Sequence, residues 1–166
     1  MEIQFHPVAE FAALFSKEIP RELPRLRAIY HKVNIVTRSS WIPTYQPSGD
    51  RFKKGIIDKI NGEEIYGTVY RAEEDTNAVV MFSQLKSDGP KEPRFILDCR
   101  PRNAVTFRNH TSLPIIEEEI AFVTARPLWS KIDLTNGHHN IRIDPDSEKH
   151  TTFLCHMGHY RSRIMQ

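Results

Sequence analysis

Eleven prolines are spread along the 166 residues of this chain, and they limit its possible folds more than any other feature. Proline lacks a backbone N–H and clashes with the preceding turn, so it ends or kinks a helix. The prolines therefore argue against an all-helical bundle. The mass of 19.3 kDa is typical of one domain that buries a hydrophobic core. The 39% apolar and 27% charged residues are ordinary for a globular protein.

Hydrophobic periodicity and turn residues divide the chain into short elements. Apolar residues at helical spacing predict helices over 8–18, 52–60 (ended by Asn61-Gly62) and 112–126. Alternating or β-branched stretches predict strands over 31–36, 65–71, 78–85, 94–99, 128–134 and 140–143. Residues 151–165 are predicted to form a last hairpin that turns at Met157-Gly158. The sequence thus predicts a mixed α+β domain with a largely antiparallel sheet.

Charge is concentrated in one part of the chain. The net charge is only +2, from 23 basic and 21 acidic residues. Between Lys86 and Arg108, however, six basic residues stand against three acidic ones, on a predicted hairpin and the residues after it. Arginines and lysines on such a hairpin can bind the phosphates of a nucleic acid. A charged hairpin that faces only solvent explains the same residues equally well.

The sequence also restricts where the protein is expected to act. No apolar run is long enough to cross a membrane, so we expect no membrane partner. The first residues lack the basic and apolar regions of a secretory signal, so we expect an intracellular protein, cytoplasmic or nuclear, that is not secreted. The two cysteines, Cys99 and Cys155, are expected to be reduced thiols.

Two groups of residues could bind metal ions. Asp133, between apolar residues in SKIDL, could be a carboxylate ligand of Mg²⁺, although a turn aspartate is the simpler interpretation. Cys155 and His159 have a spacing that loosely fits zinc, but adjacent His138 and His139 would point to opposite faces of a strand. The phosphate-binding, dinucleotide-binding and serine-hydrolase motifs are absent from the sequence.

Four ordered blocks over about residues 14–165 resemble the reverse transcriptase of gypsy-type LTR retrotransposons. SKEIPRELPRLRAIYHKVNI is similar to the family's segment between protease and polymerase. RFILDCRPRNAVTFRNHTSLPIIEE is similar to its R-x-C-V-D-Y-R-x-L-N-x-x-T-x-x-x-x-P-L-P block. SKIDLTNGHHNIRI is similar to F-S-K-L-D-L-x-x-G-Y-H-Q-I-R-I, and HTTFLCHMGHYRSRIM to K-T-A-F-x-x-x-x-G-H-Y-E-Y-x-x-M.

This resemblance implies the fingers and part of the palm of a right-hand polymerase. It divides the chain into a connector or extended segment (1–50), a fingers-like region (51–127) and a partial palm (128–166). It implies an RNA or DNA template-primer and a deoxynucleoside triphosphate as partners. Asp133 is then the first catalytic aspartate and a ligand of Mg²⁺, and the carbonyl of Leu134 is a further ligand. The implied chemistry is phosphoryl transfer assisted by two metal ions.

The same resemblance implies roles for five other residues. Arg94 matches the arginine of the fingers that contacts the nucleotide's phosphates, and Lys86 is the nearest match to the fingertip lysine. Asp98 and Arg100 match positions that brace the fingers and contact the template. His138 stands where the family has the Tyr or Phe that excludes the ribose 2′-hydroxyl, so it puts discrimination against ribonucleotides in question.

One motif of the family does not occur in these residues. The chain contains no Y-x-D-D sequence, which carries further metal-binding carboxylates. A single carboxylate cannot hold two divalent ions about 4 Å apart. We therefore expect the RNA-directed DNA polymerase (nucleotidyltransferase) activity to belong to a longer parent, with weak or absent Mg²⁺ binding here. The alternative is a non-catalytic product, domesticated or decayed, that binds nucleic acid or self-associates as a homo-oligomer through an exposed sheet edge.

Overall fold

The computed structural model of the chain describes residues 22–36, 41, 49–73, 77–85, 93–110 and 112–166. The helices are α1 (Asp50–Ile65), α2 (Arg100–Val105) and α3 (Ile116–Thr124), with 3₁₀ helices at Gly137–Asn140 and Pro145–Thr151. The strands are β1 (Val69–Arg71), β2 (Val79–Leu85), β3 (Pro93–Asp98), β4 (Phe153–Cys155) and β5 (Gly158–Ser162). The predicted helix over 8–18 and the hairpin tip at 86–90 lie outside the described residues.

The five strands form one sheet in the order β1-β5-β4-β2-β3. Strands β2 and β3 form an antiparallel hairpin, and so do β4 and β5, as the sequence predicts. Strand β1 pairs antiparallel with β5, whereas β2 and β4 run parallel and join the two halves of the sheet. The predicted α+β class with a largely antiparallel sheet is therefore confirmed. Strands β1 and β3 are the two edges.

The core lies where α1 packs against this sheet. Ile56 and Ile60 are four residues apart, so they share one helical face, and both are fully buried. They join Val79 of β2 and Phe153 of β4 in one cluster. Phe153 also stacks on Tyr160 of β5, with the ring centroids 5.9 Å apart. These residues come from distant parts of the sequence, so their packing fixes the positions of α1, β2, β4 and β5 relative to one another.

Helix α1 continues past the Asn61-Gly62 pair at which the sequence predicts its end. It ends at Ile65, because Gly67 adopts a φ of +67° and closes the last turn. The N–H of Gly67 donates to the carbonyl of Glu64, and the N–H of Thr68 donates to that of Glu63. This pair of hydrogen bonds is the Schellman motif, which satisfies the carbonyls at a helix end. The predicted strand over 65–71 is consequently shortened to β1.

The segments around α3 depart further from the sequence-based expectations. α3 begins at Ile116 rather than Ser112, so neither Ser112 nor Pro114 lies in its first turn. Residues 128–134 do not form the predicted strand, and every residue from 112 to 136 is exposed. An extended segment becomes a strand only when a neighbouring strand forms hydrogen bonds with its backbone N–H and C=O groups. Here the segment is exposed to solvent, so no such strand forms. Of the predicted strands at 31–36 and 140–143, only isolated bridges form.

None of the helices in the described ranges combines the length and the hydropathy needed to cross a bilayer.

Candidate nucleic-acid interface

The junction between β3 and α2 carries a two-pronged ion pair. Asp98 ends β3, and Arg100 begins α2 only two residues later. Arg100 Nε lies 2.8 Å from Asp98 Oδ1, and its Nη2 lies 2.7 Å from Oδ2. The backbone N–H of Arg100 also donates to Asp98 Oδ1 at 3.2 Å. This bidentate arrangement holds the guanidinium in one plane at the end of the strand.

The ion pair changes the acidity of both partners. The hydrogen bond from Arg100 holds the pKa of Asp98 at about 2, below its ordinary value of 3.8. The hydrogen bond to Asp98 in turn raises the pKa of Arg100. Both groups are therefore charged at neutral pH. The Arg100 side chain remains 89% exposed, so it can meet a ligand without leaving Asp98.

We expect Asp98 to titrate with a midpoint of about 2 in the folded protein. Since its pKa is lowered on folding, the pair stabilises the fold above pH 3.8, and this stabilisation is lost as the pH falls toward 2. Side-chain carboxyl NMR measures the midpoint directly. Arg100→Gln should return it toward 3.8, whereas Arg94→Gln should leave it low. A wild-type midpoint near 3.8 would show that the pair does not form.

Arg94 lies on the open edge of the sheet. Among the described residues, strand β3 pairs only with β2, where Arg94 is opposite Gln84. Arg94 is exposed, so its guanidinium can reach a phosphate in solvent. Lys86, the other residue expected to contact the nucleotide's phosphates, lies outside the described residues. The structure thus places Arg94 on the same strand that ends in the Asp98–Arg100 pair.

Arg102 has a different surrounding from Arg94 and Arg100. Its Nη2 lies 2.9 Å from Cys99 Sγ, and its Nη1 donates to the carbonyl of His150 at 3.3 Å. These contacts tie α2 to the second 3₁₀ helix, Pro145–Thr151. Burial raises the pKa of the Cys99 thiol, although the charge of Arg102 opposes the shift. Arg102, which the sequence places in the basic cluster, therefore holds α2 against the body of the domain.

A cavity of about 240 Å³ lies beside Arg102, lined also by His31, Asn103 and Thr151. Pockets that enclose a drug-sized ligand usually measure about 300–1,000 Å³. The volume of this cavity lies below that range.

Asp133, Leu134 and His138 lie together in an exposed segment. Asp133 and Leu134 precede a turn in which the N–H of Gly137 donates to the Leu134 carbonyl at 3.3 Å. Asn136 adopts a left-handed conformation in this turn, with a φ of +51°. His138 follows in the first 3₁₀ helix, and its side chain is exposed. The structure therefore places these three residues in one short exposed segment around a turn, on a loop rather than at the end of a strand.

His139 differs in burial from its exposed neighbour His138, a difference that the sequence does not reveal. It is half-buried, and burial lowers its pKa, while Glu63 raises it and Lys59 and His138 lower it. Glu63 and Lys59 belong to α1 and form an ion pair of 2.6 Å. The charges of these two α1 side chains therefore act on the His139 ring. The sequence feature that could have indicated this difference is the adjacent pair of histidines, in which His138 is exposed and His139 is half-buried.

The described residues do not fit a magnesium site by themselves. Among them, no three His, Cys, Asp or Glu side chains lie close enough together to hold an ion. Asp133 is exposed and is the single carboxylate in its turn. A Mg²⁺ site takes near-octahedral oxygen ligands, of which water supplies several. Asp133 could serve as one ligand, and the remaining protein oxygens would have to come from other residues.

The zinc alternative has little support in the geometry of the last hairpin. Cys155 is buried, and burial raises the pKa of its thiol, which disfavours the thiolate that zinc requires. Cys155 pairs with Gly158, and His159 pairs with Leu154 on the opposite strand. Adjacent positions of a strand point to opposite faces, so this register does not bring Cys155 and His159 together.

Comparison with known proteins finds similarity in sequence to transposon polyproteins. No model of a protein family matches it. It is 23% identical over 158 residues to the transposon Tf2-3 polyprotein of Schizosaccharomyces pombe (strain 972 / ATCC 24843), and the Tf2-4 polyprotein of that organism gives the same value. The match covers 94% of this chain and 12% of the Tf2-3 polyprotein. The chain therefore spans only a small part of these relatives' length.

Solved structures match the fold of the chain over most of its length. A selenomethionine-labelled mutant of the prototype foamy virus protease-reverse transcriptase superposes with a TM-score of 0.69 at 20% identity, covering 95% of this chain and 22% of that chain. The foamy viral protease-reverse transcriptase in complex with an RNA/DNA hybrid also gives 0.69, at 16% identity, covering 95% and 21%. The chain has the fold of part of a reverse transcriptase. Each of these two matches covers 95% of the chain, which includes its sheet and flanking helices.

Proposed function

We propose that the chain is the fingers and first part of the palm of a retroelement reverse transcriptase, and that its fingers contact the template and the incoming nucleotide. The observation that carries the proposal is the bidentate Asp98–Arg100 pair at the end of the edge strand that also exposes Arg94. This places two arginines where the β2–β3 hairpin faces solvent. The similarity in fold to foamy virus enzymes solved with DNA and with an RNA/DNA hybrid supports the same conclusion.

The proposed roles divide between charge and position. Arg94, with Lys86, supplies positive charge for the nucleotide's phosphates, because a guanidinium binds phosphate oxygens through two parallel N–H groups. Arg100 contacts the template backbone while Asp98 fixes its orientation. His138 is exposed in the segment after Leu134, and we assign it to the sugar side of the nucleotide. An imidazole there can donate or accept a hydrogen bond, so it excludes a 2′-hydroxyl less strictly than a phenyl or phenol ring.

Asp133 is proposed as one catalytic carboxylate of the longer polymerase. Its neighbours in the turn offer the Leu134 carbonyl as a further oxygen, although that carbonyl also accepts the N–H of Gly137. A carbonyl oxygen has two lone pairs, so both contacts are compatible. No group of three potential ligands exists among the described residues, and we propose that residues outside them supply the other carboxylates. The chemistry of nucleotide transfer is accordingly assigned to the longer protein.

Binding of a labelled RNA/DNA hybrid with a single-stranded template overhang tests the proposal. We expect fluorescence anisotropy to show an affinity that falls linearly with salt on logarithmic axes, because counterions are released from the phosphates. Arg94→Ala should weaken binding several-fold, equally for different sequences. It should also reduce the magnitude of the salt slope by about one.

The matched control is Arg25→Ala, which removes an exposed arginine from the N-terminal part of the described chain. It should change neither the affinity nor the salt slope. An equal loss from Arg25→Ala and Arg94→Ala would mean that binding depends on net charge alone and not on the β2–β3 hairpin. Binding that does not depend on salt would contradict the proposed phosphate contacts.

A non-catalytic, self-associating product is the second candidate. The observation that favours it is the continuous exposure of residues 112–136, whose apolar side chains contact solvent. This second function does not exclude the first, since the two use different surfaces.

A further inference from the structure

The cavity beside Arg102 combines apolar walls with several polar groups. Its volume is about 240 Å³. Leu97, Ile143 and Ile164 line it with apolar side chains, and the last two are almost fully buried. Asn103 of α2 also lines it and is exposed, so the cavity opens to solvent beside that helix. Ligand sites commonly have this construction, in which apolar walls surround a few polar groups that orient the ligand.

The hydroxyl groups that line this cavity are already hydrogen-bonded within the protein. Thr151 Oγ1 lies 2.7 Å from the carbonyl oxygen of Glu148 and 2.9 Å from that of Ser162. Ser162 Oγ donates to the carbonyl of Ile164 at 2.8 Å. A buried hydroxyl with such partners carries no desolvation penalty that a ligand would have to relieve. These groups therefore belong to the structure of the walls.

Arg102, in contrast, has N–H groups without a partner among the described residues. Only two of its five N–H groups have an acceptor there, namely Cys99 Sγ and the carbonyl of His150. No described carboxylate forms an ion pair with Arg102, and Asp98 is held by Arg100. The Arg102 side chain is half-buried, and a charge partly removed from water is costly unless it is paired. An anion in the cavity would supply that partner.

Two further side chains with unused hydrogen-bonding groups share the cavity with Arg102. No described residue forms a hydrogen bond with the side-chain amide of Asn103 or with the ring of His31. An amide N–H and an imidazole N–H are both suitable donors to a carboxylate oxygen. The cavity therefore brings one guanidinium charge and two further donor side chains to the same space.

The charge and the size of the cavity indicate the kind of anion. One guanidinium matches a single negative charge, and the planar carboxylate fits its fork of N–H groups. The apolar walls favour an apolar group beside that charge, which an inorganic phosphate lacks. An apolar cavity of about 150 Å³ engineered into another protein binds benzene. A cavity of about 240 Å³ therefore has room for one aromatic ring and a carboxylate.

We propose that this cavity is a binding site for a small aromatic carboxylate. The carboxylate accepts hydrogen bonds from Arg102 and Asn103, and His31 donates a further one. The ring packs against the apolar walls. The inference is independent of the proposed function, because these three residues have no role in the proposed contacts with template or nucleotide, and its test contains no nucleic acid.

Titration of the ¹⁵N-labelled chain with benzoate, followed by amide NMR, tests the proposal. We expect saturable shifts at residues that line the cavity, such as Leu97, Ile143 and Ile164, and none along α3. Benzamide is the matched neutral probe, because it has the same ring and nearly the same shape without the charge. It should bind roughly ten-fold more weakly, since the charge-assisted hydrogen bonds are lost. Absence of saturable shifts with benzoate overturns the proposal, as does equal binding of the two probes.

Substitutions test the roles of the individual side chains. Arg102→Gln should weaken benzoate binding roughly ten-fold. Arg108→Gln is the control, because it removes an exposed arginine outside the cavity and should leave binding unchanged. Since Arg102 also ties α2 to the domain, Asn103→Ala is the second variant: its side chain is exposed, so the fold should persist while benzoate binding falls several-fold. Equal losses from Arg102→Gln and Arg108→Gln overturn the proposal, as does unchanged binding in both cavity variants.

Discussion

Replacing Phe153 by alanine is expected to lower the free energy of unfolding by about 3–5 kcal/mol. Phe153 is fully buried in β4, the strand that joins β2 on one side to β5 on the other. Its ring stacks on Tyr160, and the core around it includes Ile56 and Ile60 of α1. Loss of the ring therefore opens a cavity where the helix meets both halves of the sheet, and the surrounding residues relax only partly into it.

Urea unfolding followed by circular dichroism measures this loss. Phe107→Ala is the matched control, because Phe107 is 70% exposed, and surface changes usually shift stability by less than about 0.5 kcal/mol. The difference between the two phenylalanines should thus be several kilocalories per mole. Equal effects would mean that β4 does not occupy the centre of the sheet. If Phe153→Ala is unfolded without urea, the milder Ile56→Val should still cost about 0.5–1.5 kcal/mol.

The elements that were predicted correctly depend on contacts between near neighbours in sequence. The β2–β3 hairpin follows from two β-branched runs around a turn, and the β4–β5 hairpin from a glycine between two short strands. In the second hairpin the two turn residues are His156 and Met157, one position before the predicted pair. Turn position depends on backbone angles that the residue types only partly restrict.

The arrangement of the strands could not be predicted in the same way. The parallel pairing of Val79 with Phe153 joins residues more than seventy positions apart, and no local pattern specifies it. The same holds for Val69 and Ser162 at the other end of the sheet. Such pairings are selected by the packing of the whole core, in which α1 covers one face. The sequence therefore predicted the class of the fold but not its strand order.

The same distinction between local and long-range contacts applies to the candidate site. The resemblance implies a bracing role for Asp98 and Arg100, and that role stays a prediction, whereas the ion pair between these near neighbours is seen only in the structure. The partial burial of His139 and the effect of Lys59 and Glu63 on its pKa involve residues distant in sequence, and sequence reasoning missed them. The predicted strand over 128–134 is wrong, because these residues pair with no neighbouring strand in the structure. Their apolar side chains are left in solvent, as at Ile132.

Two glycine-to-alanine replacements are expected to change stability in opposite directions. Gly158 begins β5 with a φ of +117°, a conformation that side chains of L-residues rarely adopt. Gly158→Ala should therefore destabilise the protein by about 1–3 kcal/mol, although the added methyl group would meet only the end of the Arg71 side chain at 3.6 Å. The cost comes from the backbone and not from a collision.

Gly62 is the matched counterpart, because it lies inside α1 and a methyl group there would contact nothing within 4 Å. Gly62→Ala should stabilise the protein by about 0.5–1 kcal/mol, since alanine loses less conformational freedom than glycine when it enters a helix. Thermal and urea unfolding of both variants measure the two shifts. If Gly62→Ala also destabilised the protein, residue 62 would lie outside α1. The helix would then end at Asn61-Gly62, and not at Ile65, where Gly67 and Thr68 donate the closing hydrogen bonds.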